Sequence, residues 1–137
     1  MAYILLVEDN QASADIAIHT LQTSGYEVRH FTRGLDGAKV ARKERPSLIL
    51  MDFNLPDVDG RTLALLLKKQ LGDMEAPPIV AFTARTGHSE EMLARSFGCE
   101  GFISKPFTPA GLLDLVNRLL QQHAAMSDAN RPTPRDA

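Results

Sequence analysis

Four short groups of polar residues each follow directly on an apolar run. Glu8-Asp9 follows YILLV (3–7), and Asp52 follows LILM (48–51), with Asn54 two residues on. Thr83-Ala84 follows IVAF (79–82), and Ser104-Lys105-Pro106 follows the short run at 101–103. A carboxylate at the carboxyl end of an apolar strand sits where open α/β sheets bind their ligands. Three carboxylates brought into one cleft repel, and their pKa values rise unless a counter-charge is present. A hard divalent cation provides that charge, and oxygen donors with retained waters suit Mg²⁺.

These groups lie far apart in the chain, so other elements must bring them together. Five apolar runs, at 3–7, 28–31, 48–51, 79–82 and 101–103, read as strands. Between them lie helical patterns. Ala14, Ala17, Ile18 and Leu21 fall at i, i+3, i+4 and i+7, with Gly25 as a stop. Leu63, Leu66, Leu67 and Leu71 form a second stripe, and Leu112, Leu115, Val116 and Leu119 a third. Weaker patterns span 35–43 and 89–97. Strand and helix alternate five times. Continuously apolar strands with amphipathic helices between them imply a parallel sheet covered on both faces. Right-handed crossovers then place every strand's carboxyl end on one edge, where the polar groups would meet.

The totals agree. The 137 residues suffice for one domain, and 44% apolar residues can fill a core. A net charge of −2 gives no reason to expect a nucleic-acid or anionic-membrane surface. The single cysteine, Cys99, cannot form an internal disulfide and reads as a packed small residue. The N-terminus has no signal-peptide pattern. A cytoplasmic protein is expected. Its domain spans 1–124 and a disordered polar tail spans 125–137, which includes SDANRPTPRDA. His19, His30, His88 and His123 are scattered without metal spacing.

The chain resembles the response-regulator receiver domains of two-component signalling. Glu8-Asp9, DFNLPDVDG (52–60), Thr83-Ala84 and Lys105-Pro106 carry the resemblance, in order, each at a strand end. It covers about 4–121 and implies a flavodoxin-like, doubly wound, five-stranded parallel sheet of order 2-1-3-4-5 with five helices. It also implies that Asp52 is the phospho-acceptor. Asp9 and Asp52 would bind Mg²⁺ directly with the Asn54 main-chain carbonyl, and Glu8 through a water. Many family members have Asp where this chain has Glu8. The Asn54 and Ala84 backbones would face the phosphoryl group, and Lys105 would neutralise its oxygens. A cis Lys105-Pro106 bond would aim that lysine. Thr83 and Phe102 would form the switch, and Arg85 and Asn54 occupy positions that tune phosphoryl lifetime. Some of these residues have simpler readings too. Glu8 and Asp9 are suited to cap the first helix, Phe102 to sit in the core, and Asp59 to cap the helix carrying Leu63.

On this resemblance the protein is no enzyme beyond its own phosphorylation and dephosphorylation. Its donor would be a sensor histidine kinase or a histidine phosphotransfer protein. It would signal to an output protein through the face formed by the fourth helix, fifth strand and fifth helix (89–120). Leu113 and Leu120, off the main stripe, would make part of that face a binding or homodimer surface. With no room for a DNA-binding domain or a membrane span, a stand-alone regulator is expected, the alternative being a module of a larger regulator or hybrid kinase. Two other classes fit poorly. A haloacid-dehalogenase-like phosphatase needs a second carboxylate where Asn54 stands. A flavodoxin-like electron carrier needs a phosphate loop where Glu8-Asp9 would repel one.

Overall fold

The computed structural model describes residues 2–72, 76–84 and 87–130, with 88 and 124–130 in their backbone alone. Strands β1 (Ile4–Val7), β3 (Leu48–Asp52) and β4 (Ile79–Thr83) are buried at every residue. A strand covered on both faces must read as an unbroken apolar run, which accounts for their lack of polar alternation. Strand β2 (Val28–Phe31) is half-buried throughout, and β5 (Gly101–Ser104) alternates buried with half-buried, as edge strands can. All pairings are parallel, in the order β2-β1-β3-β4-β5. This is the expected flavodoxin-like topology.

Five helices connect and cover the strands: α1 (Gln11–Thr23), α2 (Gly34–Lys43), α3 (Gly60–Leu71), α4 (His88–Ser96) and α5 (Pro109–Asn130). The period-two alternation of strand side chains sorts the core into two layers. Leu5, Val7, Ile49, Met51 and Ala81 pack with Ala38, Ala41, Leu63, Leu67 and Ala94 of α2, α3 and α4. Ile4, Leu6, Leu50, Val80 and Phe82 face the other way, onto α1 and α5. Helix α1 ends as expected at Gly25. Its φ of +94° closes a Schellman pair, in which Tyr26 N donates to Leu21 O and Gly25 N to Gln22 O.

Two expectations need correction, at Leu66 and at the end of α5. Leu66 is 40% exposed, and Ala64 takes its place beside Leu63, Leu67 and Leu71 on the buried face. The face of α3 centres on Leu67, which leaves Leu66 on its flank. Leu113 and Leu120 are half-buried against the α1–α5 layer, off the buried stripe of Leu112, Val116 and Leu119. Helix α5 runs to Asn130, past the expected start of the tail at 125. No proline stands between Pro109, its first residue, and Pro132 to stop it. Residues 131–137 lie outside the described residues.

The loop after β3 depends on Gly60. Gly60 N donates to Phe53 O (3.1 Å), and a Cβ on Gly60 would lie 2.5 Å from Asp52 O and 2.6 Å from Phe53 Cα. Gly60→Ala must therefore shift backbone directly beside Asp52. We expect it to cost about 1–3 kcal/mol of stability, read from the urea midpoint. An unchanged midpoint would show that the loop gives way freely.

Candidate functional site

Parallel order brings the carboxyl ends of the central strands to one edge. Asp52 is the last residue of β3 and Thr83 the last of β4, and Glu8-Asp9 follows β1. Ligand atoms of Glu8, Asp9 and Asp52 lie within 4.8 Å of one another. Glu8 is fully buried, Asp52 is 5% exposed and Asp9 is exposed. The capping role open to Glu8 and Asp9 belongs instead to Asn10, whose side chain accepts from Ser13 N at 2.9 Å. The acid pair is thus left to face Asp52.

Lys105 reaches into the cluster from beyond β5. Its Nζ lies 2.7 Å from Asp52 Oδ2 and 2.5 Å from Glu8 Oε1. The Lys105–Pro106 bond is cis, and Lys105 N donates to Thr83 O at 2.7 Å. The other Asp52 oxygen, Oδ1, accepts from Asn54 N at 2.8 Å. Burial pulls the Lys105 pKa down, but hydrogen bonds and charge from Asp52 and Glu8 more than offset it, so it sits above its ordinary value. Glu8 shows the opposite stress. Burial first, then the Asp52 carboxylate, push it from 4.5 up to about 7. Its Oε1 is ion-paired with Lys105, but no hydrogen bond is aligned on it.

Asn54 and Thr83 line one cavity of about 320 Å³ beside Asp52, with Arg61 and Glu90. Thr83 is 3% exposed, and Ala84 after it is exposed. Phe102 is not part of this cavity. It is half-buried beside Ala81 on β4 and lines a separate groove between β5 and α5. Arg85 lies outside the described residues. Asp59 caps α3 as expected, accepting from Arg61 N at 2.9 Å. Cys99 is buried, and burial pushes its thiol up to about 12, which makes it inert as a nucleophile.

The family model for the response regulator receiver domain matches residues 4–117. The chain belongs to that family. It is 33% identical to the polar-differentiation response regulator DivK of Brucella anthropi, over 85% of this chain and 94% of that protein. It is 34% identical to the transcriptional regulatory protein CreB of Escherichia coli, of which it spans 51%. It is 37% identical to hybrid signal transduction histidine kinase G of Dictyostelium discoideum, of which it spans 3%. Chemotaxis protein CheY4 of Vibrio cholerae superposes with a TM-score of 0.79 at 30% identity, over 87% of this chain and 98% of that one.

Receiver domains typically bind Mg²⁺, and the donors of this one fit it. All are oxygens, as a hard cation prefers. Three carboxylates and one ammonium leave a charge of −2 when all are ionised, which a divalent ion cancels. Burial raises the Glu8 pKa most, and the neighbouring Asp52 carboxylate adds to it. A pH dependence follows. Between 4.5 and about 7 the folded receiver binds a proton at Glu8 that the unfolded chain has lost. Stability therefore falls as pH rises through that window, by something of order 1–3 kcal/mol. We expect the urea midpoint in EDTA to fall across it, Mg²⁺ to restore it most at the upper end, and Glu8→Gln to flatten the slope. A wild-type midpoint that rises with pH there would contradict the assignment.

His30 escaped the sequence reading. Its Nε2 lies 2.8 Å from the Glu8 carbonyl oxygen and donates to it, bracing the β1–α1 loop from the edge strand. Its only signal is register: His30 pairs with Leu6, two residues before Glu8.

Proposed function

We propose that this receiver domain accepts a phosphoryl group on Asp52 from a phosphohistidine of a sensor kinase or phosphotransfer protein. The convergence of Lys105 Nζ on Asp52 and Glu8, within the acid cluster, carries this reading. An Asp52 carboxylate oxygen attacks phosphorus. The P–N bond to the donor imidazole breaks, its electron pair returns to nitrogen, and an aspartyl phosphate forms. Lys105 neutralises charge on the phosphoryl oxygens, while the Asn54 and Ala84 main chains and the Thr83 hydroxyl bind them. Asp9, Asp52, the Asn54 carbonyl and, through water, Glu8 would hold Mg²⁺. Bound there, the ion supplies the charge balance that lets an anionic donor approach an acid cluster. The chain promotes only its own phosphorylation and dephosphorylation, in the cytoplasm.

Phosphorylation adds charge and strong acceptor oxygens at this edge. Thr83 moves toward them, Phe102 turns inward, and the face of α4, β5 and α5 changes its affinity for an output partner or a second copy. Among the described residues no helix is long and apolar enough to cross a membrane. A regulator of DivK's kind is one reading, since the similarity spans 94% of that protein. The same domain within a hybrid kinase is the other reading, favoured by the Dictyostelium relative. An NMR titration with beryllofluoride and Mg²⁺ tests the switch. Shifts spreading from Asp52 through Thr83 and Phe102 into α4 and α5 are expected. Shifts confined to the surroundings of Asp52 would mean that the output lies on another face.

A further inference from the structure

The loop from Phe53 to Asp59 carries Asn54 between the acceptor strand and α3. Its base is closed by Gly60 N donating to Phe53 O and by an antiparallel bridge between Asn54 and Asp59. The tip is fastened to a different element. Asp57 Oδ1 accepts from Gly34 N at 2.8 Å, and Oδ2 accepts from Leu35 N at 2.9 Å. Helix α2 has no side-chain cap of its own, since Arg33 stands at that position and makes none. The missing cap is supplied across the fold by Asp57. Gly34 makes the approach possible. A Cβ there would meet Val58 Cγ1 at 2.5 Å, Leu63 Cδ2 at 2.8 Å and Leu55 Cδ1 at 3.0 Å. Two tip side chains therefore pack directly on the helix backbone.

We propose that Asp57 is a positioning residue for the acceptor site. It clasps the first turn of α2 and thereby holds the loop so that the Asn54 main chain lies against Asp52. The bond it protects is Asn54 N to Asp52 Oδ1, 2.8 Å long. The Asn54 carbonyl is held by the same backbone. A cap within one helix stabilises that helix alone. A carboxylate that spans to a second element also fixes the loop it comes from. Burial raises the Asp57 pKa, but the Leu35 and Gly34 N–H groups more than offset this and hold it below its ordinary value, as a charged clasp requires. Its effect on phosphoryl chemistry rests on the function proposed above, whereas its effect on the loop does not.

The test compares Asp57→Ala with wild type by hydrogen exchange of single amides in metal-free protein, then by calorimetric titration with Mg²⁺. Asn54 N–H is expected to exchange about tenfold faster in the variant, while amides of β1 and β3 keep their protection. Mg²⁺ affinity is expected to fall severalfold. Asp57→Ser keeps one accepting oxygen, is expected to lie between the two, and decides the matter if the alanine variant does not fold. Faster exchange at Gly34 and Leu35 alone, with Asn54 exchange and Mg²⁺ affinity unchanged, would make Asp57 a helix cap and overturn the proposal. If wild type takes up no phosphoryl group, the proposed function falls, but the exchange of Asn54 still decides the clasp.

Discussion

Asp52→Asn is expected to abolish phosphoryl uptake from acetyl phosphate while leaving the fold intact. An amide oxygen still accepts the Asn54 N–H, so the strand end keeps its local geometry. What is lost is the nucleophile. A neutral amide does not form the acyl phosphate, and no other described carboxylate is placed like Asp52. Glu8 is fully buried and bound to Lys105, and Asp9 lies out at the rim. A phosphate-affinity gel reads the result. Equal band shifts in variant and wild type would move the acceptor to another residue.

Lys105→Ala has the second largest expected effect, and it acts twice. Removing a donor that stabilises developing charge in a shielded site typically costs about 10²–10³-fold in rate, and phosphorylation should slow accordingly. The same change takes the counter-charge from Asp52 Oδ2 and Glu8 Oε1. Breaking a buried pair from one side is more harmful than never having had it. The metal-free variant should therefore unfold more readily than wild type at neutral pH, and less so where Glu8 holds its proton. Lys105→Arg should recover part of the stability but little of the rate, because a planar fork does not replace a point charge. Stopped-time phosphorylation and urea midpoints in EDTA and in Mg²⁺ separate the two effects. A Lys105→Ala rate equal to wild type would remove the lysine from the chemistry.

Most of the fold was legible because its signals are local. The buried strands announce themselves as apolar runs, and Asp52 and Thr83 simply extend two of them by one residue. Gly25 marks the end of α1 through its backbone freedom, and Asp59 marks the start of α3. The face of α3 departs from its leucine spacing at one position. Four leucines share the helical spacing, and only packing against α2 and the sheet tells Leu66 from Ala64.

The site divides along the same line. Glu8, Asp9, Asp52 and Lys105 were found because each stands at a strand end, and topology alone carries strand ends together. His30 and Asp57 were not, because each acts on the main chain of an element distant in sequence. Nothing around His30 distinguishes it from a solvated edge-strand residue. Nothing around Asp57 distinguishes it from a turn acid, which it also resembles. Asn10 took the cap because it, and not Asp9, stands one residue before the helix.

The proposed function turns on metal-dependent acceptance of one phosphoryl group at Asp52. Intact-protein mass spectrometry of the full chain with acetyl phosphate, in Mg²⁺ and in excess EDTA, tests it most directly. A single added phosphoryl group is expected in Mg²⁺, lost to hydroxylamine and mapped to Asp52, and almost none in EDTA. Uptake undiminished by EDTA, a hydroxylamine-stable group on a serine or threonine, or a phosphoryl group mapped to a histidine would contradict it.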